Sequence, residues 1–284
     1  MEIEFLGSGG AFSTPRPGCD CRVCVQARAS GVPYSRTGPS VFVHGPDVLI
    51  DTPEESKEQI NRSSIKRIAA CFYSHWHPDH VAGLRVWEAL NWDTRHWPTQ
   101  HRRTDVYLPQ QVASDFKSKT GYWEQLSYFE RIGLVRRIVL PDHETVQLGG
   151  VSITPFRLMQ DYVYAFLFEG NGKRVLIAPD ELLGWQPSAE LGHLDLAVIP
   201  MGVLEFDPFN GTRRIPAEHP VLKSEATYAQ TLAIVRQLDA RRVVLTHIEE
   251  PDGLSYDDLQ RLAVRLQGEG LDVTFAYDTM RLAV

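Results

Sequence analysis

Between His75 and His80 four of six residues are histidine or aspartate, in the run HWHPDH. Neutral imidazole and ionised carboxylate are donors that zinc, manganese and iron accept, and a cation needs several of them aimed at one point. His75 and His77 are two residues apart, so on extended backbone they face the same side. Asp79 and His80 follow where the chain turns into a segment with Leu84, Trp87 and Leu90 at helical spacing. The run closes a strand-like stretch, IAACFYSH, and the end of a rigid strand can aim several side chains together. A solvated polar loop has no need of this composition.

Two later apolar runs end similarly, IAPD at Asp180 and VVLTHI around His247, and an earlier one, VLID, ends in Asp51. Taken singly, each is a strand end meeting solvent. A second cluster, GCDCRVC, places Cys19, Cys21 and Cys24 at C-x-C-x-x-C spacing, three corners of a tetrahedral metal site, with a reduced, metal-free loop as the alternative. Cys71 falls inside an apolar strand, so the four cysteines do not read as a disulfide framework. The turn LGSGGAF misses the G-x-G-x-x-G register of a dinucleotide site and reads as a tight turn beside the metals. Trp87, Trp92, Trp97, Tyr122, Trp123 and Tyr128 read as core, with a substrate-pocket wall as the alternative.

The elements that must position these groups are short and mixed. EIEFLG, Ser40 to His44, VLID, IAACFYSH and DVYLP read as strands. A helix is predicted over residues 110–132, with Phe116, Trp123, Leu126 and Phe129 on one face. The strands RRIVLP, TVQLGG, VSITPFRL, YAFLFEG, KRVLIAPD and LDLAVIPM follow. A Pro- and Gly-containing loop over 204–223 leads to a helix over 224–238, the strand RRVVLTHI, a helix over 255–268 and the strand VTFAY. Such an order predicts mixed sheets covered by helices.

With 43% hydrophobic and 23% charged residues, the composition excludes disordered and membrane-spanning classes. A net charge of -7 argues against a nucleic-acid surface. The acidic start, MEIEFLGSGG, lacks a secretory signal pattern, so a cytoplasmic protein is expected.

In motif order from Gly7 to His247, the chain resembles the metallo-β-lactamase superfamily, whose motif is H-x-H-x-D-H. Asp180 matches that family's bridging aspartate, His247 its last histidine, and Asp51 a residue that orients the site. The resemblance implies an α/β (α+β) fold, a four-layered αββα sandwich, forming a single domain over residues 1–284. It implies a first metal position of His75, His77 and Asp180 and a second of Asp79, His80, Asp180 and His247. The family's usual histidine between these motifs is absent: Met159, Gln160 and Asp161 stand there. The second position is therefore expected to be the tighter one unless Asp161 or His219 completes the first.

The cysteine loop looks like that of the phosphodiesterase family of the carbon-phosphorus lyase pathway. There such cysteines pair with a histidine three residues after the last catalytic one. Glu250 holds that position here, so Cys19, Cys21, Cys24 and Glu250 are expected to hold a structural zinc. A proton-transfer histidine of that family matches Glu225, with His219 nearby. Glu225 reads equally as an acid or base and as a carboxylate in the first turn of a helix.

The implied activity is metal-dependent hydrolysis of a small, even cyclic, phosphodiester by a metal-activated hydroxide oriented by Asp79. One or two divalent ions, Zn or Mn, are the expected cofactors. The alternatives are a non-hydrolytic accessory protein of the quinone-cofactor biosynthesis type and a lactone or carboxylic-ester hydrolase. A small-molecule substrate is expected, with neither nucleic acid nor membrane as partner and a homodimer as an open possibility.

Overall fold

The protein's structure, a computed structural model, describes residues 1–159 and 162–284. Two mixed sheets of seven strands form its centre. The first runs Arg281–Ala283, Glu2–Gly7, Ser40–His44, Val48–Ile50, Ala70–Phe72, Thr104–Pro109 and Val135–Leu140 from edge to edge. The second runs Val273–Phe275, Val243–Thr246, Leu196–Pro200, Lys173–Ile177, Tyr164–Gly170, Val151–Arg157 and Val146–Leu148.

Central strands of the second sheet are apolar at consecutive positions because both of their faces are covered. Val175, Ile177, Val198 and Val244 pack inward toward the first sheet. Their neighbours Leu176, Ala197, Ile199 and Leu245 pack the other way, with Ile234, Val235, Leu259 and Leu262 of the helices Tyr228–Gln237 and Tyr256–Gly268. The rings of Phe72 and Phe166, 5.5 Å apart, join the two sheets. Val112, Phe116, Leu126 and Phe129 bury one side of the helices Gln110–Ser118 and Tyr122–Arg131 beside the first sheet. Each fully buried side chain of this size contributes roughly 1.5–3 kcal/mol. The layers are helix, sheet, sheet, helix, as the αββα expectation has it.

What matters for the site is strand direction. Val48–Ile50 and Ala70–Phe72 are parallel, with Ile50 opposite Phe72. Lys173–Ile177, Leu196–Pro200 and Val243–Thr246 are also mutually parallel. Parallel neighbours end on the same side, where open α/β sheets keep their sites. The chain just past these ends supplies Asp51, His75, Asp180 and His247.

Several elements differ from the sequence reading, which did not include the helices Arg22–Ser30 and Ser56–Asn61. Residues 110–132 form two helices rather than one, because Gly121, a poor helix former, interrupts the run and Thr120 Oγ1 accepts from the Tyr122 N–H at 3.4 Å. The later helix starts at Tyr228 rather than 224: Thr227 and Gln230 form a reciprocal capping box that fixes its start. Arg281–Ala283, too short and polar to be recognised alone, gains its strand geometry from pairing with Glu2–Gly7. Among the described residues, no helix is long and apolar enough to cross a membrane.

Candidate metal centre

The turn after Ala70–Phe72 is built around a buried carboxylate. Asp51, with a left-handed φ of 61°, accepts from the Ser74 N–H at 2.8 Å and the Ser74 hydroxyl at 2.6 Å, and lies 2.8 Å from His80 Nδ1. Ser74 Oγ is in turn 3.0 Å from His75 Nδ1. Both rings are thereby held by Nδ1, which leaves Nε2 free to face a cation; carboxylate support of this kind also raises ligand basicity.

Those free nitrogens converge. His75, His77 and Asp180 can each bring one donor atom within 4.8 Å of the others, and so can Asp79, His80 and His247. Asp180 stands between the two groups. Its Oδ2 lies 3.2 Å from His75 Nε2 and 3.7 Å from His80 Nε2, while Oδ1 lies 3.4 Å from His247 Nε2. Asp79 Oδ2 lies 3.3 Å from His80 Nε2 and 3.5 Å from His247 Nε2. Close as these atoms are, the Nε2 atoms of His75, His80 and His247 are buried without a well-directed hydrogen bond. Three buried, orphaned nitrogens aimed among two carboxylates fit divalent cations.

The ionisation pattern agrees with that fit. Burial opposes the charge on Asp79, but His80 and His247 hold its carboxyl well below the usual range; His247 and His75 do the same for Asp180. Burial likewise works against His247, yet Asp180, Asp79 and Glu249 push it up to about 10. His80 is raised as well by Asp79 and Asp51. Protons on these imidazoles take the place of metal charge, so a metal must displace them on binding. His77, by contrast, is lowered to about 4 by burial and by His75, and is a neutral ligand already.

His247 sits in a left-handed conformation, φ 55°, at the end of its strand. Glu249 backs it: its Oε1 lies 3.5 Å from His247 Nδ1, and its oxygens accept from the N–H groups of Ala11 at 3.0 Å and Phe12 at 2.8 Å. Gly10 closes this arrangement from above, since a Cβ there would overlap both Glu249 Oε1 and the His247 ring. The Gly-rich turn is thus packed against the site. Gly10→Ala is expected to weaken divalent-ion binding about 10–100-fold, the usual cost of disturbing a ligand's support. Metal titration checks it, and unchanged affinity would mean that His247 can move aside freely.

The groups open on a cavity of about 540 Å³ that His77, Asp79, Asp180 and His247 help to line. Glu225 and His219 also line it. Glu225 precedes the capping residue Thr227, so it is not part of the helix's first turn. Burial first, then a hydrogen bond to Glu181 and the charges of Glu181 and Asp180, push Glu225 up to about 9. Glu181 accepts from the Ala226 N–H at 3.0 Å and from that of Leu183, which fixes its carboxylate beside Glu225. Glu225 therefore carries a proton at neutral pH. His219 is exposed and its Nδ1 accepts from the Val221 N–H at 3.2 Å, capping a short turn.

Asp161 and Gln160 lie outside the described residues. The neighbouring Tyr162 has its ring 5.3 Å from that of His77 and 5.9 Å from that of His75. None of the six aromatic residues singled out above lines the cavity: Trp87 is fully buried and Trp97 is 92% exposed.

The thiols of Cys19, Cys21 and Cys24 lie 3.3, 3.0 and 3.1 Å from one atom, Glu250 Oε1. All four donors fall within 4.8 Å of one another, a fit for a tetrahedral ion. Burial and the Glu250 carboxylate raise Cys21, and burial above all pushes Cys24 up to about 12, so a metal would exchange for the protons on these two thiols.

A family model described as Beta-lactamase superfamily domain matches residues 44–248. The protein belongs to this superfamily, which makes metal-dependent hydrolysis the general class of chemistry for its site. The chain is similar to a diphosphatase from the PhnP family, with 25% identity and a TM-score of 0.70 over 100% of this chain and 97% of that one. Zn²⁺-bound PqqB from Methylobacterium extorquens shares the fold, with a TM-score of 0.71 and 18% identity over 100% of both chains. An octanoyltransferase from Porphyromonas gingivalis (strain ATCC BAA-308 / W83) is 26% identical over 162 residues, 56% of this chain but 31% of the relative. The chain thus spans about a third of the length of the curated relative it matches.

Proposed function

We propose that this protein is a metal-dependent phosphodiesterase acting on a small phosphodiester. The observation that carries the reading is Asp180, whose carboxylate lies among imidazoles of both ligand groups, where it could serve two ions. One or two divalent ions, Zn or Mn, held by His75, His77, Asp180, Asp79, His80 and His247, would polarise a phosphoryl oxygen and acidify water. Asp51 and Glu249 fix the imidazoles, and Asp79 orients the attacking water by accepting its hydrogen bond. Glu225, protonated and facing the cavity, gives its proton to the leaving oxygen. A structural zinc at Cys19, Cys21, Cys24 and Glu250 belongs to the same proposal and would pin the N-terminal loop to residues 249–250.

Likeness to a PhnP-family diphosphatase supports phosphorus chemistry. The net charge of -7 supports a small substrate rather than nucleic acid. Two other readings stay in play because the first ligand group has only three members among the described residues. One is an accessory, non-hydrolytic metal protein; the other is a lactone or carboxylic-ester hydrolase.

Protein loaded with Zn or Mn is expected to release nitrophenol from bis(p-nitrophenyl) phosphate with saturation, and to stop when a chelator removes the metal. Turnover of lactones alone favours the ester hydrolase. No turnover of either, with metal bound, leaves the accessory protein.

A further inference from the structure

The cavity beside the metal groups is chemically one-sided. Away from the ligands its wall is apolar, built from Phe12, Leu182, Val203, Leu204, Ile215 and Val221. Its other ionisable lining is mainly acidic: Glu181, Glu225, Glu249 and Asp252. Among the described residues, Arg214 is the single guanidinium in the lining. It donates to the Asp252 carbonyl and lies 3.2 Å from Asp207 Oδ2, so its charge is already answered.

A second phosphate or carboxylate on the substrate would therefore meet mostly carboxylates, with the exposed imidazole of His219, whose Nδ1 already accepts from the Val221 N–H, as the remaining basic group among the described lining residues. Burying such a charge unpaired is costly. Hydrocarbon, in contrast, finds six apolar side chains and loses its contact with water. The wall is also built into the fold rather than draped over it. Its loop, residues 201–227, is tied by bridges from Val203 to Thr227 and from Phe206 to Arg213, and the Leu204 N–H donates to Asp252 Oδ1 at 3.1 Å. A cavity of about 540 Å³ accommodates a ligand of ordinary small-molecule size, for which roughly 300–1,000 Å³ is usual.

We infer that the substrate is a phosphodiester with one uncharged, apolar ester group, alkyl or aryl, that seats against this wall. The inference rests on the phosphodiesterase reading above. In the reaction, water's oxygen bonds to phosphorus and the bond to the other ester oxygen breaks. That oxygen leaves as an alcohol with one proton, and the apolar group stays on the phosphomonoester.

The test uses metal-loaded protein and the methyl, butyl and octyl esters of p-nitrophenyl phosphate, with a butyl ester bearing a terminal carboxylate as the charged control. Nitrophenol release should show kcat/KM rising about fourfold per added methylene until the wall is covered, the increment expected of a buried CH₂. The carboxylate ester should fall at least about tenfold below its uncharged counterpart. Val221→Asp should flatten the series and Val221→Ile should keep it, with metal content confirming that each variant is folded. Calorimetric binding of nonhydrolysable alkyl methylphosphonates should follow the same order of chain length.

Turnover that is flat with chain length, or that favours the carboxylate ester, overturns the apolar-group inference and leaves the phosphodiesterase standing. Absent turnover with chain-length-dependent phosphonate binding overturns the hydrolase reading instead. Absence of both overturns the two together.

Discussion

Asp180→Asn lowers kcat on bis(p-nitrophenyl) phosphate by at least about 10³-fold and leaves the site with no more than one divalent ion per chain. The expectation follows from position. Asp180 is the carboxylate that reaches both ligand groups, 3.2 Å from His75 Nε2 through one oxygen and 3.4 Å from His247 Nε2 through the other. Asparagine keeps the shape but removes the negative charge that offsets two cations in a buried setting. One amide oxygen can still ligate, but the amide nitrogen presents hydrogens to whatever the other side holds. Elemental analysis and turnover should fall together. If the variant keeps a full complement of ions and its rate, the shared-carboxylate arrangement is wrong and each group works alone.

Glu225→Gln is expected to cost about 10²–10⁴-fold when the leaving group is an aliphatic alcohol, the range typical of a general acid. It should cost far less when nitrophenol leaves, because nitrophenolate departs without help. The structural basis is the shared proton with Glu181, whose own oxygens are tied to the N–H groups of Ala226 and Leu183. The sign of the pH effect follows. Glu225 is raised to about 9, so its donor form is present below that pH and lost above it. Turnover of aliphatic diesters should decline as pH climbs toward 9, with cations in the site drawing the limb lower because they favour the carboxylate. Equal losses on both substrate types would make Glu225 a positioning residue instead.

The strand ends explain why so much of the site was readable beforehand. His75, His77, Asp79 and His80 sit in one short run, and Asp180 and His247 close apolar runs whose parallel pairing carries them to one edge. Sequence spacing conveys such information because continuous apolar runs mark strands covered on both faces, the usual setting of parallel strands. Glu181 and Glu249 were invisible for the opposite reason. Each acts through a neighbour, Glu225 or His247, that nothing in local sequence marks as its partner. Tyr162 was also passed over, since an isolated tyrosine beside a strand signals nothing until its ring is found next to His77. The helical run over 110–132 misled because apolar spacing continues across Gly121 although the backbone does not. Glu225 changed meaning once the capping box put the helix start beyond it.

The loop over residues 201–227 leaves the sheet at one strand and returns at the cap of the next helix, while the ligands issue from other connections. The metal ligands and most of the apolar wall are consequently housed in different stretches of polypeptide, while Glu225 shares the loop with the wall. A longer excursion between Val203 and Val221 would reshape the wall and leave the ligand positions and Glu225 anchored, since added length between fixed anchors adds only slowly to the entropy of closure.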